Sequence, residues 1–339
     1  MRILVCGTNY GSAYVRAIGK GQSSRQLVGI LSRGSRQSLE LARACNVPHY
    51  TSVDDLPVGG IDIACVAVSA QAGIDVIIKL LRRGIHVIAE HPIEPQHLEE
   101  VLNEAAKQGV YFHLNSHYGD IDTVATFLTR CTMVRSRQAP LYISALMNPR
   151  TLYSCLDIVA QAVGGLSPYS FCRLEVQNRQ LSETAPTTAR PIFKVLQGGL
   201  GGIPAVLQCQ NYVSREDDAS AAQVSHHIMI GFADGNVLLG EAFGPVLWLT
   251  SGLATAVSTQ PAWSHVSAAL PLTFEAFQLQ RDNANRLAIQ RIESQIETGV
   301  APAIQTREYL LDVSRAWRAA VNCLGPVDVI GAGSVGKRL

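Results

Sequence analysis

The first dozen residues constrain the rest of the chain most. Arg2-Ile3-Leu4-Val5-Cys6 reads as a short apolar strand, Gly7-Thr8-Asn9-Tyr10-Gly11-Ser12 follows at once, and residues 13–20 can wind as a helix. A strand, a tight glycine turn and a helix start together make a site for a dinucleotide. The first helical N–H groups and the positive end of the helix dipole point at a pyrophosphate. Glycine permits the sharp turn and a close approach of phosphate to backbone. Against the pattern G-x-G-x-x-G/A, Gly7 holds the first place, Asn9 sits where the second glycine belongs, Ser12 takes the third, and Gly11 is an extra glycine one step earlier. A turn that binds nothing would look the same locally. What favours a cofactor on Gly7, Thr8, Asn9 and Tyr10 is the context that follows.

That context is an alternation. Residues 26–31 read as a second strand, 35–45 as a helix, 48–50 as a short strand and 61–68 as a buried parallel strand, because that run is almost continuously apolar. A helix over 73–83 stops at Gly84, a strand over 85–89 ends in Glu90-His91-Pro92, and a helix over 94–108 closes at Gly109. A last strand, 110–114, runs into Asn115-Ser116-His117-Tyr118. This rhythm predicts a doubly wound α/β Rossmann domain over residues 1–120. Ligands of such sheets bind beyond the carboxyl ends of the strands, where Ser69, Glu90 and Asn115 fall.

The cofactor's identity is read after the second strand. An NAD site wants an acidic residue there for the ribose 2′-OH, and no Asp or Glu occurs before Glu40. The turn is instead Ser32-Arg33-Gly34-Ser35-Arg36. Two guanidiniums (Arg33, Arg36) and two hydroxyls (Ser32, Ser35) suit a 2′-phosphate, so NADPH is expected. A solvated basic turn with Ser35 as N-cap is the plainer alternative. The two are compatible, since Ser35 can cap while Arg33 binds phosphate.

Composition narrows the remaining classes. The 339 residues suffice for two domains, and a formal net charge of +1 supplies no field to draw in nucleic acid or an anionic membrane. Charged residues are only 16%, which suits a large core, an oligomer interface or both. No apolar run has the length of a membrane span, no signal-like segment precedes the first strand, and the eight cysteines form no C-x-x-C pair, so a reducing cytoplasm and no metal site are expected.

At Glu90-His91-Pro92 the chain resembles the Gfo/Idh/MocA oxidoreductase family, in layout throughout and in motif over residues 1–120. In that family an E-K-P lysine usually touches both cofactor and substrate, and the peptide before proline is often cis. Here the lysine is His91. Polyol-oxidising members carry an Asp with a His four residues later; the comparable stretch has Asp157 and Gln161. The usual machinery for removing a proton from a sugar hydroxyl is therefore missing. One branch, the thiazolinyl imine reductases of siderophore assembly lines, is similar at a G-x-x-[FY]-G turn (Gly7 to Gly11), at a G-S-x-R-S segment (Gly34-Ser35-Arg36-Gln37-Ser38, one residue shorter), at E-H-P (Glu90-His91-Pro92) and at a tyrosine after the sixth strand (Tyr118). The resemblance implies NADPH-dependent reduction of a thiazoline to a thiazolidine on an intermediate tethered to a carrier domain of a nonribosomal peptide synthetase.

Reducing a cyclic C=N needs a hydride on carbon and a proton on nitrogen. The cofactor carries the hydride, and the protein supplies the acid. Histidine suits the task, with an unperturbed pKa of about 6.5. His91 and Tyr118 are the two candidates. Glu90 is expected to hold the turn or the nicotinamide ribose, and Asn115 and His117 to serve structure or the carboxamide. Two other readings stay open: reduction of another free carbonyl or imine, and an NADP-sensing regulator without catalysis.

Residues 121–339 are expected to form an α+β domain, with a mostly antiparallel sheet, for substrate binding and oligomerisation, a homodimer being the default. A helix over 121–135, a strand over 141–146, a helix over 151–164 and strands over 171–178, 203–212, 224–232 and 236–243 are predicted, with Asp234-Gly235 as a hairpin turn. Residues 180–189 read as a loop and Gly198 to Gly202 as a flexible turn with no strand before it. Adjacent His226 and His227 would point to opposite faces of a strand and cannot share a metal easily. Helices follow over 281–299 and 306–324. The tail spells G-x-G-x-x-G over 331–336 but has too few residues after it for a helix.

Overall fold

In the computed structural model the chain begins β1 (Arg2–Cys6), α1 (Gly11–Gly19), β2 (Gln26–Leu31), α2 (Arg36–Ala44), β3 (His49–Tyr50), β4 (Ile63–Val66), α3 (Ala70–Arg82), β5 (His86–Glu90), α4 (Pro95–Gln108) and β6 (Phe112–Asn115). It continues through α5 (Asp122–Arg135), β7 (Tyr142–Met147), α6 (Leu152–Val163), β8 (Tyr169–Leu174), β9 (Phe193–Leu200), β10 (Ile203–Gln210), β11 (Tyr212–Ser214), β12 (His226–Phe232), β13 (Gly235–Leu239), β14 (Val246–Thr250) and β15 (Trp263–Ser267). It ends with α7 (Phe274–Thr298), α8 (Arg307–Leu324) and β16 (Asp328–Ile330). The structure describes residues 1–19, 24–68, 70–174, 193–214, 224–251, 263–267 and 273–330. Ser69, the expected loop at 180–189 and the tail motif at 331–336 lie outside them.

The chain divides into two compact units, Met1–Ile121 with Thr273–Ser314, and Asp122–Leu272 with Arg315–Leu339. The first holds a parallel six-stranded sheet in the order β3-β2-β1-β4-β5-β6. Ile3, Leu4, Val5 and Cys6 of β1 have no exposed surface, as a central strand covered on both faces requires. Ile3, Leu4 and Val5 each contribute about 1.5–3 kcal/mol by leaving water. Gly84 and Gly109 end α3 and α4 with positive φ, where no Cβ opposes the left-handed cap.

The first unit also holds α7, which the sequence reading assigns to the second domain. Ile289 and Ile292 of α7 pack in one core with Ile3 and Val5 of β1, Ile63 and Cys65 of β4, Ile88 of β5, and Tyr14 and Ile18 of α1. Two ion pairs hold the helix there. Arg25 lies 2.6 Å from Glu293 and Arg16 lies 3.0 Å from Asp282. The helix begins at Phe274, seven residues before its amphipathic pattern becomes plain, with the Thr273 hydroxyl accepting from Ala276 N–H as N-cap.

The second unit carries an eight-stranded sheet, β15-β14-β13-β12-β7-β10-β9-β8, antiparallel except where β7 and β10 run parallel. Ile143, Ala145 and Met147 of β7 alternate inward with no more than 1% exposure. The glycine-rich run differs from its reading as a loose turn. Gly198 to Leu200 complete β9, and only Gly201 and Gly202 turn, at φ 61° and 76°. Glycine weakens strand propensity, which hid β9 from the pattern. A Cβ on Gly198 would stand 1.9 Å from the Ser170 carbonyl oxygen, so the close strand pairing with β8 explains the residue.

Candidate active site

All six parallel strands present their carboxyl ends along one edge, and the order reverses between β1 and β4. The chain leaves β1 there. Gly7 has φ +87°, and a Cβ on it would lie 2.6 Å from the Ala67 carbonyl oxygen at the end of β4. Its N–H donates to the Leu31 carbonyl, 2.8 Å away. The helix starts at Gly11, not at residue 13, and a Cβ on Gly11 would meet Val5 Cγ1 at 3.0 Å. Gly11 therefore does the helix–strand packing that the third glycine of the motif performs elsewhere. Ser12 instead donates its hydroxyl to the Asn9 carbonyl at 2.9 Å. On this turn Thr8 is half-buried and Asn9 exposed, just ahead of the α1 N-terminus.

The turn after β2 lies at the same edge. Ser35 caps α2, accepting from Ser38 N–H at 3.2 Å. Arg36 reaches Glu40 at 2.8 Å and is almost fully exposed. The Ser32 hydroxyl bonds His49 Nε2 at 2.9 Å and accepts from Gly34 N–H at 3.3 Å. Arg33 is exposed. No carboxylate stands on this turn itself, which retains a basic, hydroxyl-rich character.

At the ends of β5 and β6 the expected residues come together. His91 precedes Pro92 across a cis peptide bond. Its Nδ1 hydrogen-bonds the Asn115 carbonyl at 2.7 Å, and its backbone N–H donates to the same oxygen at 3.3 Å. With a carbonyl as partner, Nδ1 carries hydrogen and proton exchange falls to Nε2. The His117 ring centroid lies 6.4 Å from that of His91 and 4.2 Å from that of Tyr118, stacked on the latter. Tyr10 closes the group, its hydroxyl 2.9 Å from His117 Nδ1. Burial pushes the Tyr10 phenol above its ordinary range, so it stays protonated and donates.

Behind this group lies a buried polar network that only partly involves residues expected from sequence. Tyr14 donates to Glu90, and Asn115 Nδ2 lies 2.7 Å from Tyr14, 3.0 Å from Glu90 and 2.9 Å from Asn285 Oδ1. Glu90 thus points into the protein body, tying β5 to α1 and β6, and Asn115 carries the link on to α7. Asn285, from α7, has no exposed surface and also lies 3.4 Å from the Tyr10 hydroxyl. Tyr14 and Asn285 carry no motif. Each sits on an amphipathic helix where only its neighbours make it special.

Burial raises the Glu90 carboxyl from 4.5 to about 7, against the opposing bonds from Tyr14 and Asn115. Between those values the folded protein holds a proton that the unfolded chain releases. This contribution to stability is full at the acid end, falls as pH rises toward about 7, and is flat above it. Because Glu90 is half-buried rather than fully enclosed, solvent screening lowers the effect to roughly 2 kcal/mol. In urea titrations, Glu90→Gln is expected to match wild type near about pH 5 and to exceed it by roughly 2 kcal/mol near about pH 8. Equal differences at both pH values would show that Glu90 does not titrate here.

In the second unit, Asp157 lies on α6 with 5% exposure and accepts from Gln161 Nε2 at 3.1 Å. His226 and His227 diverge as their strand requires. His227 Nδ1 bonds the Gly240 carbonyl at 3.1 Å, while His226 is buried with Nε2 2.7 Å from the Ser154 hydroxyl. Glu241 lies 3.8 Å from His226 Nδ1. Serine, histidine and glutamate in line resemble a hydrolytic triad. Ser154 and His226 have no exposed surface, so no substrate carbonyl can reach the hydroxyl. Among the described residues, no group of three or more His, Cys, Asp or Glu could hold a metal, and no helix is long and apolar enough to cross a membrane. All eight cysteines are free thiols.

Comparison with known proteins bears on both units. Residues 1–116 match the profile of the Gfo/Idh/MocA oxidoreductase family with an NAD-binding Rossmann fold. Residues 138–249 match the C-terminal profile of the Irp3-like thiazolinyl imine reductases. No curated protein sequence matches the chain. Among solved structures, UDP-N-acetylglucosamine 3-dehydrogenase GnnA from Acidithiobacillus ferrooxidans is similar at 15% identity, with a TM-score of 0.69 over 96% of this chain and 97% of that one. An oxidoreductase from Agrobacterium radiobacter, in complex with NAD+, L-tartaric acid and magnesium, is similar at 11% identity, TM-score 0.70, over 96% of each chain. GenD2 from gentamicin A biosynthesis, in complex with NAD, is similar at 13% identity, TM-score 0.68, over 96% of this chain and 94% of that one. At these identities the likeness concerns the fold. Taken with the two profiles, the glycine turn on a reversing parallel sheet and the mostly antiparallel second sheet make this chain a Gfo/Idh/MocA-family oxidoreductase with an Irp3-like C-terminal domain.

Proposed function

We propose that the chain reduces a thiazoline C=N to a thiazolidine with NADPH, on a siderophore intermediate tethered to a nonribosomal peptide synthetase carrier domain. The observation that carries the reading is the presence on one chain of the Rossmann profile and the Irp3-like profile. The residues present suit the cofactor. Gly7 turns the chain tightly against the Ala67 backbone, where a Cβ would not fit, which sets the start of α1 for a phosphate, and the turn at Ser32, Arg33, Ser35 and Arg36 offers hydroxyl and guanidinium donors to a 2′-phosphate.

When bound, NADPH supplies the hydride that adds to the ring carbon. The protein supplies the proton to nitrogen, from His91 or Tyr118. The Asn115 carbonyl holds hydrogen on His91 Nδ1, so an imidazolium there gives up its proton from Nε2 and relaxes to a neutral ring of defined tautomer. Tyr118, stacked on His117, is the other donor of the group. Glu90 and Asn115 support the wall of the site through Tyr14 and Asn285 and do not exchange protons with substrate.

The same reading includes a cytoplasmic homodimer formed through the open face of the eight-stranded sheet. Register places Tyr142, Val206 and Leu174 on one face, each at least 36% exposed. An apolar sheet face of this kind is what an isologous contact buries.

The test is cofactor oxidation on a synthetic hydroxyphenyl-thiazoline thioester. Turnover is expected with NADPH, with kcat/KM at least about tenfold above that with NADH, a difference of about 1.4 kcal/mol. Turnover of small aldehydes or sugars but no thiazoline would overturn the substrate assignment. Cofactor binding with no turnover of any of these would leave a sensor in place of an enzyme.

A further inference from the structure

The first unit contains a cavity of about 610 Å³ whose walls come from opposite ends of the sequence. Asn9, Tyr10 and Ser12, from the glycine turn, form one wall, and Gln278, Arg281 and Asp282 of α7 form the other. Its α1 side runs from Ser12, near the helix start, to Arg16. Two guanidiniums reach this space, in different states. Arg16 is engaged by Asp282 at 3.0 and 3.2 Å, by Gln278 Oε1 at 3.0 Å and by Ser12 at 3.4 Å. Arg281 makes no ion pair among the described residues, but its side chain hydrogen-bonds the Tyr10 hydroxyl and its charge acts on the Glu90 carboxyl. Its guanidinium carbon stands 5.0 Å over the Tyr10 ring and 5.2 Å over that of Phe277, and its buried Nε has no hydrogen-bond partner.

We propose that Arg281 is the cationic clamp on the diphosphate of the bound dinucleotide, supplied by the C-terminal helix to the N-terminal glycine turn. The inference rests on the reading of that turn as a dinucleotide site. Its physical basis is the missing second glycine. Asn9 carries a Cβ where the fingerprint has none, so a phosphate cannot come as close to the backbone there. A planar guanidinium can offer paired donors across the cavity and make up the lost contact. Contact with the Tyr10 and Phe277 rings restrains the guanidinium before the ligand arrives, which lowers the ordering cost on binding. Both carboxylate oxygens of Asp282 lie within hydrogen-bond distance of Arg16 Nε. Glu275, which also lines this wall, is exposed to solvent.

The test compares two ligands on Arg281→Gln and Arg281→Lys in the full-length chain. NADPH carries the diphosphate; adenosine 2′-monophosphate does not. Binding is followed by fluorescence titration for NADPH and by calorimetry for the mononucleotide, with thermal melting of each variant. Arg281→Gln is expected to weaken NADPH binding at least about tenfold and mononucleotide binding less than about twofold, with Arg281→Lys between wild type and Gln. NADPH affinity within twofold of wild type in Arg281→Gln would overturn the clamp while leaving the dinucleotide site standing. Equal losses for both ligands would overturn it too, as a sign of general damage to the site. Failure of the wild-type chain to bind either NADPH or NADH would remove the dinucleotide reading and the clamp together.

Discussion

Replacing His91 with alanine is expected to lower thiazoline reduction by about a hundredfold or more, the usual contribution of a positioned general acid. The effect should fall on kcat, because the proton moves after the substrate is seated. The bond from Nδ1 to the Asn115 carbonyl sets the ring's orientation, so alanine removes both the acid and its fixed geometry. Tyr118→Phe separates the candidates. If the phenol is the donor, this variant carries the large loss and His91→Ala the smaller one. If they act in series, the double variant should cost little more than the worse single, since groups acting as a unit are not additive. The pH profile gives an independent readout. An imidazolium donor produces a rate that falls as pH rises through the histidine range, and His91→Ala should abolish that limb. Both singles and the double within twofold of wild type would show that neither residue is the acid.

Gly7→Ala should destabilise the first unit by about 2–4 kcal/mol and weaken NADPH at least about tenfold. Two effects add. An L-residue at φ +87° costs of order 1–3 kcal/mol. A Cβ 2.6 Å from the Ala67 carbonyl oxygen meets backbone, which cannot rotate away. The turn must open, and the helix N-terminus moves off the phosphate position proposed above. Gly11→Ala is the milder comparison, since its Cβ would meet the movable Val5 side chain at 3.0 Å, at ordinary φ. Urea denaturation and NADPH titration measure both. A Gly7→Ala protein within about 0.5 kcal/mol of wild type would mean that the turn tolerates what its geometry forbids.

Much of the first unit was legible because parallel strands buried on both faces leave near-continuous apolar runs, as in Ile63 to Val66, and because left-handed caps require glycine, as at Gly84 and Gly109. The meeting of His91 with Asn115, His117 and Tyr118 was legible too, because strand ends in such sheets converge on one edge. Less visible was the division of labour after β2. Arg33 is exposed, whereas Ser35 caps a helix and Arg36 pairs with Glu40, contacts a motif cannot assign. Gly11 was read as surplus. Its role appears only when Val5 is seen beneath it.

By itself the amino-acid order determined the alternating architecture of residues 1–121, the glycine-bearing turn and the residues gathered at its carboxyl edge, since those follow from local periodicity and backbone stereochemistry. The tertiary structure alone decided that α7 returns to the first sheet, bringing Ile289 and Ile292 into its core, Asn285 into the Glu90 network and Arg281 over Tyr10. An apolar stripe on a helix states that the helix must be covered; which surface covers it depends on contacts more than 150 residues apart, where no local pattern reaches.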